Sequence, residues 1–137
     1  GTGADDGTTD EEITLTISTF NEWGYDTLLD QYMELHPNIT IEHNKFATSN
    51  KARDQFNTAL AAGSGLADVV GVEVDWMPEI MQYADQFVDL TSDSVEGRWQ
   101  DWKVGQATTP DGKLVGYGTD IGPEAIAYRR RRPADGP

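Results

Sequence analysis

Ile13, Leu15 and Ile17 alternate with Thr14, Thr16 and Ser18, the period-two pattern of a strand with one buried face. After a short loop of Phe20, Asn21, Glu22, Trp23 and Gly24 the period lengthens. Tyr25, Leu28, Leu29, Tyr32 and Met33 recur at helical spacing, and Pro37 closes the run. Ile39 and Ile41 then alternate with Thr40 and Glu42 as a second strand. Ser49 or Asn50 stands where a second helix needs its cap. That helix carries Ala52, Phe56, Ala59 and Leu60 on one face and ends at Gly63 and Gly65. The β-branched run from Ala67 to Val74 predicts a third, buried strand. Strands alternating with helices of about a dozen residues predict a parallel sheet with right-handed crossovers, its first strand in the middle.

The pattern is weaker beyond Trp76. Pro78 suits the first turn of a helix reaching roughly to Tyr83. Phe87 to Leu90 is a short apolar segment, and residues 95–102 have helical character. Thr109, Pro110, Asp111, Gly112 and Lys113 carry the chemistry of a tight turn. Residues 114–118 and 124–128 are expected as strands on either side of a loop over 119–123. There is no internal repeat.

A chain of 137 residues is long enough for one domain with a real core and short for two full lobes. Its formal charge is −14, from 10 basic and 24 acidic residues, a surface that repels a phosphate backbone. A nucleic-acid partner is therefore not expected. Cysteine is absent, which removes disulfides, thiolate catalysis and zinc–thiolate sites. His36 precedes Pro37 at a helix end and His43 lies in a strand. Both are expected to be structural or surface residues, so neither a metal nor a cofactor is expected. Gly63-Ser64-Gly65 lacks the frame of a dinucleotide loop and follows a helix.

In an open parallel sheet, ligands bind beyond the carboxyl ends of the strands, where strand order reverses. Two loops meet that requirement. One holds Phe20, Asn21, Glu22 and Trp23, and the other holds Glu73, Asp75 and Trp76. Aromatic planes suit the apolar faces of a pyranose, and carboxylates and amides suit its hydroxyl rim. Trp23 and Trp76 either form a platform in one shallow groove or pack as core residues at the loop ends. Glu73 and Asp75 also allow a second reading, as the acid and base of a carbohydrate-active enzyme fragment. An acidic chain offers many such pairs, and glycosidases use larger scaffolds, so the chain is read as a non-enzyme without catalytic residues.

Several stretches resemble the carbohydrate-type, family 1 extracellular solute-binding proteins of bacterial ABC importers. They are Phe20 to Gly24, Gln31 to Ile41 with its central His36-Pro37, Leu60 to Val70, and Thr108 to Pro123. Ala67 stands where the family commonly has proline. The likeness runs from about Ile13 to Tyr128. It implies that residues 13–128 form the N-terminal lobe of a two-lobed, type II periplasmic-binding-protein-like fold. The lobe would be α/β, with a parallel-centred sheet flanked by helices. A mono- or oligosaccharide would sit in the cleft, with a non-sugar solute as the alternative. Carried over by position, Asn21, Glu22, Trp23, Glu73, Asp75, Trp76, Asp120 and Pro123 would face that cleft. The resemblance also implies an importer permease as partner and an extracellular lipoprotein, attached to the membrane only by its lipid, with residues 1–12 as a flexible acidic tether. At Arg129 the likeness stops. Residues 129–137, with four consecutive arginines, are expected to be an atypical basic tail from a shifted reading frame or an engineering scar. The chain is accordingly expected to be a truncated first lobe whose bared apolar surface favours self-association.

Overall fold

A computed structural model describes residues 10–122 and 125–127. The tail over 129–137 and most of the tether lie outside them. The chain divides after Gln86 into two compact units.

The first unit holds β1 (Ile13–Phe20), α1 (Asp26–Leu35), β2 (Ile39–Phe46), α2 (Ser49–Ala62) and β3 (Val69–Val70). Its sheet has the order β2-β1-β3, all parallel, with β1 in the middle as the alternation predicts. β1 and β2 pair over their full length, from Ile13 opposite Ile39 to Phe20 opposite Phe46. Both strands outrun their apolar alternation, because the backbone ladder continues through Thr19 and Lys45, whose side chains are polar.

Ala52, Phe56, Ala59 and Leu60 are the buried residues of α2, the face expected from their spacing. The cap differs from expectation. Thr48 is the N-cap, with an extended backbone, and its hydroxyl accepts the Lys51 N–H at 3.3 Å; Ser49 and Asn50 already lie inside the helix. Gly63 ends α2 at φ +65°, a left-handed conformation that favours glycine.

The third strand is shorter and more open than the β-branched run predicts. Only Val69–Val70 joins the ladder, and Val69 is 53% exposed. Propensity supplies extended backbone, but a ladder also needs partners, and among the described residues β3 pairs only with β1. Asp68 fixes its start: the carboxylate accepts the Thr16 N–H at 2.8 Å and the Thr16 hydroxyl at 3.1 Å. Gly71 N–H still reaches the Ser18 carbonyl at 2.7 Å, after which the chain turns into a 3-10 helix over Val74–Trp76. α3 (Met77–Ile80) follows with Pro78 in its first turn, and a 3-10 segment over Met81–Gln86 completes the unit.

The second unit contains α4 (Asp101–Gln106) and the tight turn after it. The helix predicted over 95–102 begins only at Asp101, because Gly97 has φ +72° and Gln100 is extended. The predicted turn forms: Thr109 N–H donates to the Lys113 carbonyl at 2.8 Å, and Gly112 N–H to the Thr109 carbonyl at 2.9 Å. Residues 114–118 are not a strand. Leu114 makes an isolated antiparallel bridge with Thr108, the Val115 N–H donates to the Ala107 carbonyl at 2.9 Å, and side chains hold residues 117 and 118. The Trp99 ring stacks on Tyr117 at 5.0 Å and its N–H donates to the Gly118 carbonyl at 2.7 Å. Residues 125–127 have no regular structure, and Glu124 and Tyr128 lie outside the described residues.

Candidate functional site

Phe20, the last residue of β1, is buried and joins the two loops chosen from the sequence. Trp23 meets its ring edge-on at 4.9 Å, and Trp76 lies 5.7 Å away in a tilted contact. Tyr25 extends the cluster behind Trp23 at 5.7 Å, and Phe56 of α2 extends it behind Trp76 at 6.2 Å. The loops after β1 and β3 therefore converge on one aromatic centre, as expected from the strand order.

The two tryptophans play different parts within it. Trp76 is 3% exposed and faces Phe20 and Phe56, with the Arg53 guanidinium 5.8 Å from its ring centre. The expectation of two indoles in one open groove is corrected here: the packing alternative describes Trp76, whose large apolar surface closes the end of the core. Trp23 is only half-buried. Its indole lies against Gly71, where an added Cβ would stand 2.5 Å from the ring atom Cη2. Glycine there lets the ring settle on bare backbone.

Asn21 and Glu22 are exposed beside Trp23. Asn21 has φ +52°, a region that asparagine enters more readily than most residues, and its N–H donates to the Phe46 carbonyl at 3.0 Å. β2 ties the loop down further. Lys45 Nζ donates to both Glu22 carboxylate oxygens, at 3.0 and 3.1 Å, and to Asp26 at 2.9 Å. His43, two residues earlier, contacts the Thr19 hydroxyl through Nε2 at 2.7 Å and Asp26 through Nδ1 at 3.4 Å. The hydrogen bond from Lys45 holds the Asp26 carboxyl below its ordinary range, and Asp26, followed by Glu22, pushes the Lys45 ammonium above its own. Sequence reasoning passed over His43 and Lys45 as site-shaping residues. The available signal was their i, i+2 placement near the carboxyl end of β2, which puts both on one face.

On the second loop, Glu73 is half-buried and its carbonyl accepts the Trp76 N–H at 3.0 Å. Asp75 is exposed and lies 3.8 Å from Arg53 Nη1, while Glu79 reaches Arg53 Nη2 at 3.3 Å. Asp120 belongs to the second unit, exposed, with its carboxylate accepting the Ile121 N–H at 2.7 Å. Pro123 lies outside the described residues. A cavity of about 440 Å³ opens in the first unit, lined by Thr16, Ser18, Lys45, Phe46, Gln55 and Gly65 among others; it shares Lys45 with the site but includes none of the residues predicted from the sequence. Among the described residues, no group of three or more His, Asp or Glu could hold a metal ion, and no helix is long and apolar enough to cross a membrane.

No protein-family model and no curated protein matches the chain. Among solved structures it is similar to an extracellular solute-binding protein of family 1, with 47% sequence identity and a TM-score of 0.77 over 80% of this chain and 29% of that one. It is also similar to a periplasmic oligogalacturonide binding protein from Yersinia enterocolitica, solved with saturated digalacturonic acid. There the identity is 22% and the TM-score 0.57, over 74% of this chain and 26% of that one. A de novo designed cysteine esterase gives 24% and 0.58, over 77% and 27%. These last two likenesses concern the fold alone. The chain spans less than a third of the length of each of these proteins. In its strand order β2-β1-β3 and its 47% identity, the chain carries the fold and the sequence likeness of the family 1 extracellular solute-binding proteins.

Proposed function

We propose that this chain forms one wall of a saccharide-binding cleft in an extracellular solute-binding protein serving an ABC importer. The observation that carries the reading is the half-buried Trp23, its indole pinned on Gly71 and Phe20 where β1 and β3 end. A fixed aromatic face suits the C–H face of a pyranose ring, and it loses little side-chain entropy on binding. Asn21 and Glu22 beside it, with Glu73 and Asp75 on the neighbouring loop, supply hydrogen-bonding groups for hydroxyls. Trp76 supports the wall from within. For Asp120 and Pro123, the importer permease and a lipid anchor, support comes from the family likeness alone.

One wall leaves much of a ligand wet, so binding by the 137-residue chain is expected to be weak. NMR titration suits that regime. Neutral mono- and oligosaccharides should move the Trp23 indole N–H resonance saturably, and Trp23→Ala should abolish the response of the neighbouring amides while the fold persists. A Trp23 signal that no saccharide or other small solute perturbs, even at high concentration, overturns the reading. The enzyme alternative makes a separate demand: turnover of aryl glycosides that Glu73→Gln abolishes.

A further inference from the structure

Resting on that reading, the charges around the Trp23 wall point to the class of saccharide it accepts: we propose that it takes uncharged sugars and rejects sugar acids. Five carboxylates are carried by the two loops and the helix starts beside them, on Glu22, Asp26, Glu73, Asp75 and Glu79. Among the described residues of the first unit two cations offset them, and both are already engaged. Lys45 holds Glu22 and Asp26 within 3.1 Å, and Arg53 lies 3.3 Å from Glu79 and 3.8 Å from Asp75.

Recognition of a uronate needs a cation free to meet a carboxylate, best of all a guanidinium with both prongs available. Here the Arg53 prongs already lie near Glu79 and Asp75, while its Cζ stands over the Trp76 ring. Both nitrogens of His43 are occupied, by Thr19 and Asp26. Lys51, near the start of α2, sits two residues from Arg53 and hence roughly 200° around the helix, on its other side. Glu73 makes no ion pair among the described residues, so its charge stands uncompensated next to Trp76. A carboxylate entering this wall would meet like charge and, among the described residues of the first unit, no unengaged cation beside it. Hydroxyls meet no such penalty, because ionised carboxylates accept hydrogen bonds from them.

Matched pairs of ligands isolate the effect: galactose with galacturonate, glucose with glucuronate, and galactobiose with digalacturonate. Each pair is titrated by NMR at low and high salt. The neutral member should bind at least about tenfold more tightly, with the gap narrowing as salt screens the carboxylates. Glu22→Gln keeps the side-chain shape, removes one negative charge and loosens Lys45, so it should reduce the neutral-to-uronate ratio several-fold. Uronates binding as well as their neutral partners, or a ratio unmoved by Glu22→Gln, overturns the charge rule and leaves the saccharide reading standing. A response to none of these ligands takes down the saccharide reading and this inference with it.

Discussion

Trp23 and Gly71 are matched across the ends of β1 and β3: the indole occupies the space that any side chain at position 71 would need, with only 2.5 Å between its Cη2 and an added Cβ. Gly71→Ala should therefore push the ring off its seat. We expect a loss of about 1–3 kcal/mol, the usual range for forcing an extra carbon into a packed site. A red-shifted tryptophan emission should accompany it as the ring moves into water. Urea denaturation and fluorescence check the two together, and unchanged values in both would show that the ring has another place to rest.

The two tryptophans should separate cleanly by substitution. Trp76→Ala empties the centre of the Phe20–Phe56 cluster and should cost about 3–5 kcal/mol, as large buried aromatics do. Trp23→Ala removes a half-buried residue and should cost less, while abolishing the response to saccharides. Thermal melts and the NMR titration read the two effects independently.

Asp26 and Lys45 impose a signed dependence on pH. The folded state depresses the Asp26 pKa, so its contribution is present above the ordinary carboxylate value and disappears as pH falls through the lower folded value. Lys45 is raised, so its contribution is present below the ordinary lysine value and disappears as pH rises through the higher folded one. Stability from this pair should thus be flat across neutral pH and fall at both extremes. In Lys45→Met the acid-side fall should flatten, measured as urea midpoints between about pH 2 and 5. An identical acid-side slope in variant and parent would contradict the pairing.

Thr48→Ala should destabilise the first unit by about 1 kcal/mol through loss of the cap on α2, and Thr48→Ser should restore most of it. The same change at Ser49 should have little effect, because its side chain does not cap the helix. Chemical denaturation of the three variants decides between the positions.

By itself, the order of residues determined the strand–helix alternation, the central place of β1 and the buried face of α2. Those features follow from periodicity and chain connectivity, which are local. The turn at 109–113 was legible from its Pro and Gly. Tertiary structure decided the remainder. Residues 67–74 have strand propensity throughout, yet only Val69 and Val70 pair, because a ladder forms only where a neighbouring backbone runs alongside. Trp23 and Trp76 occur in similar loops, and neither composition nor spacing tells them apart. What divides them is that Trp76 packs against Phe20 and Phe56 and is buried, whereas Trp23 lies over a glycine and is only half-buried. His43 and Lys45 were readable as strand residues, but their tie to the loop after β1 depends on which residues β2 places opposite Thr19, Glu22 and Asp26. Partners distant in sequence set burial and ion pairing, and only the folded chain brings them within reach.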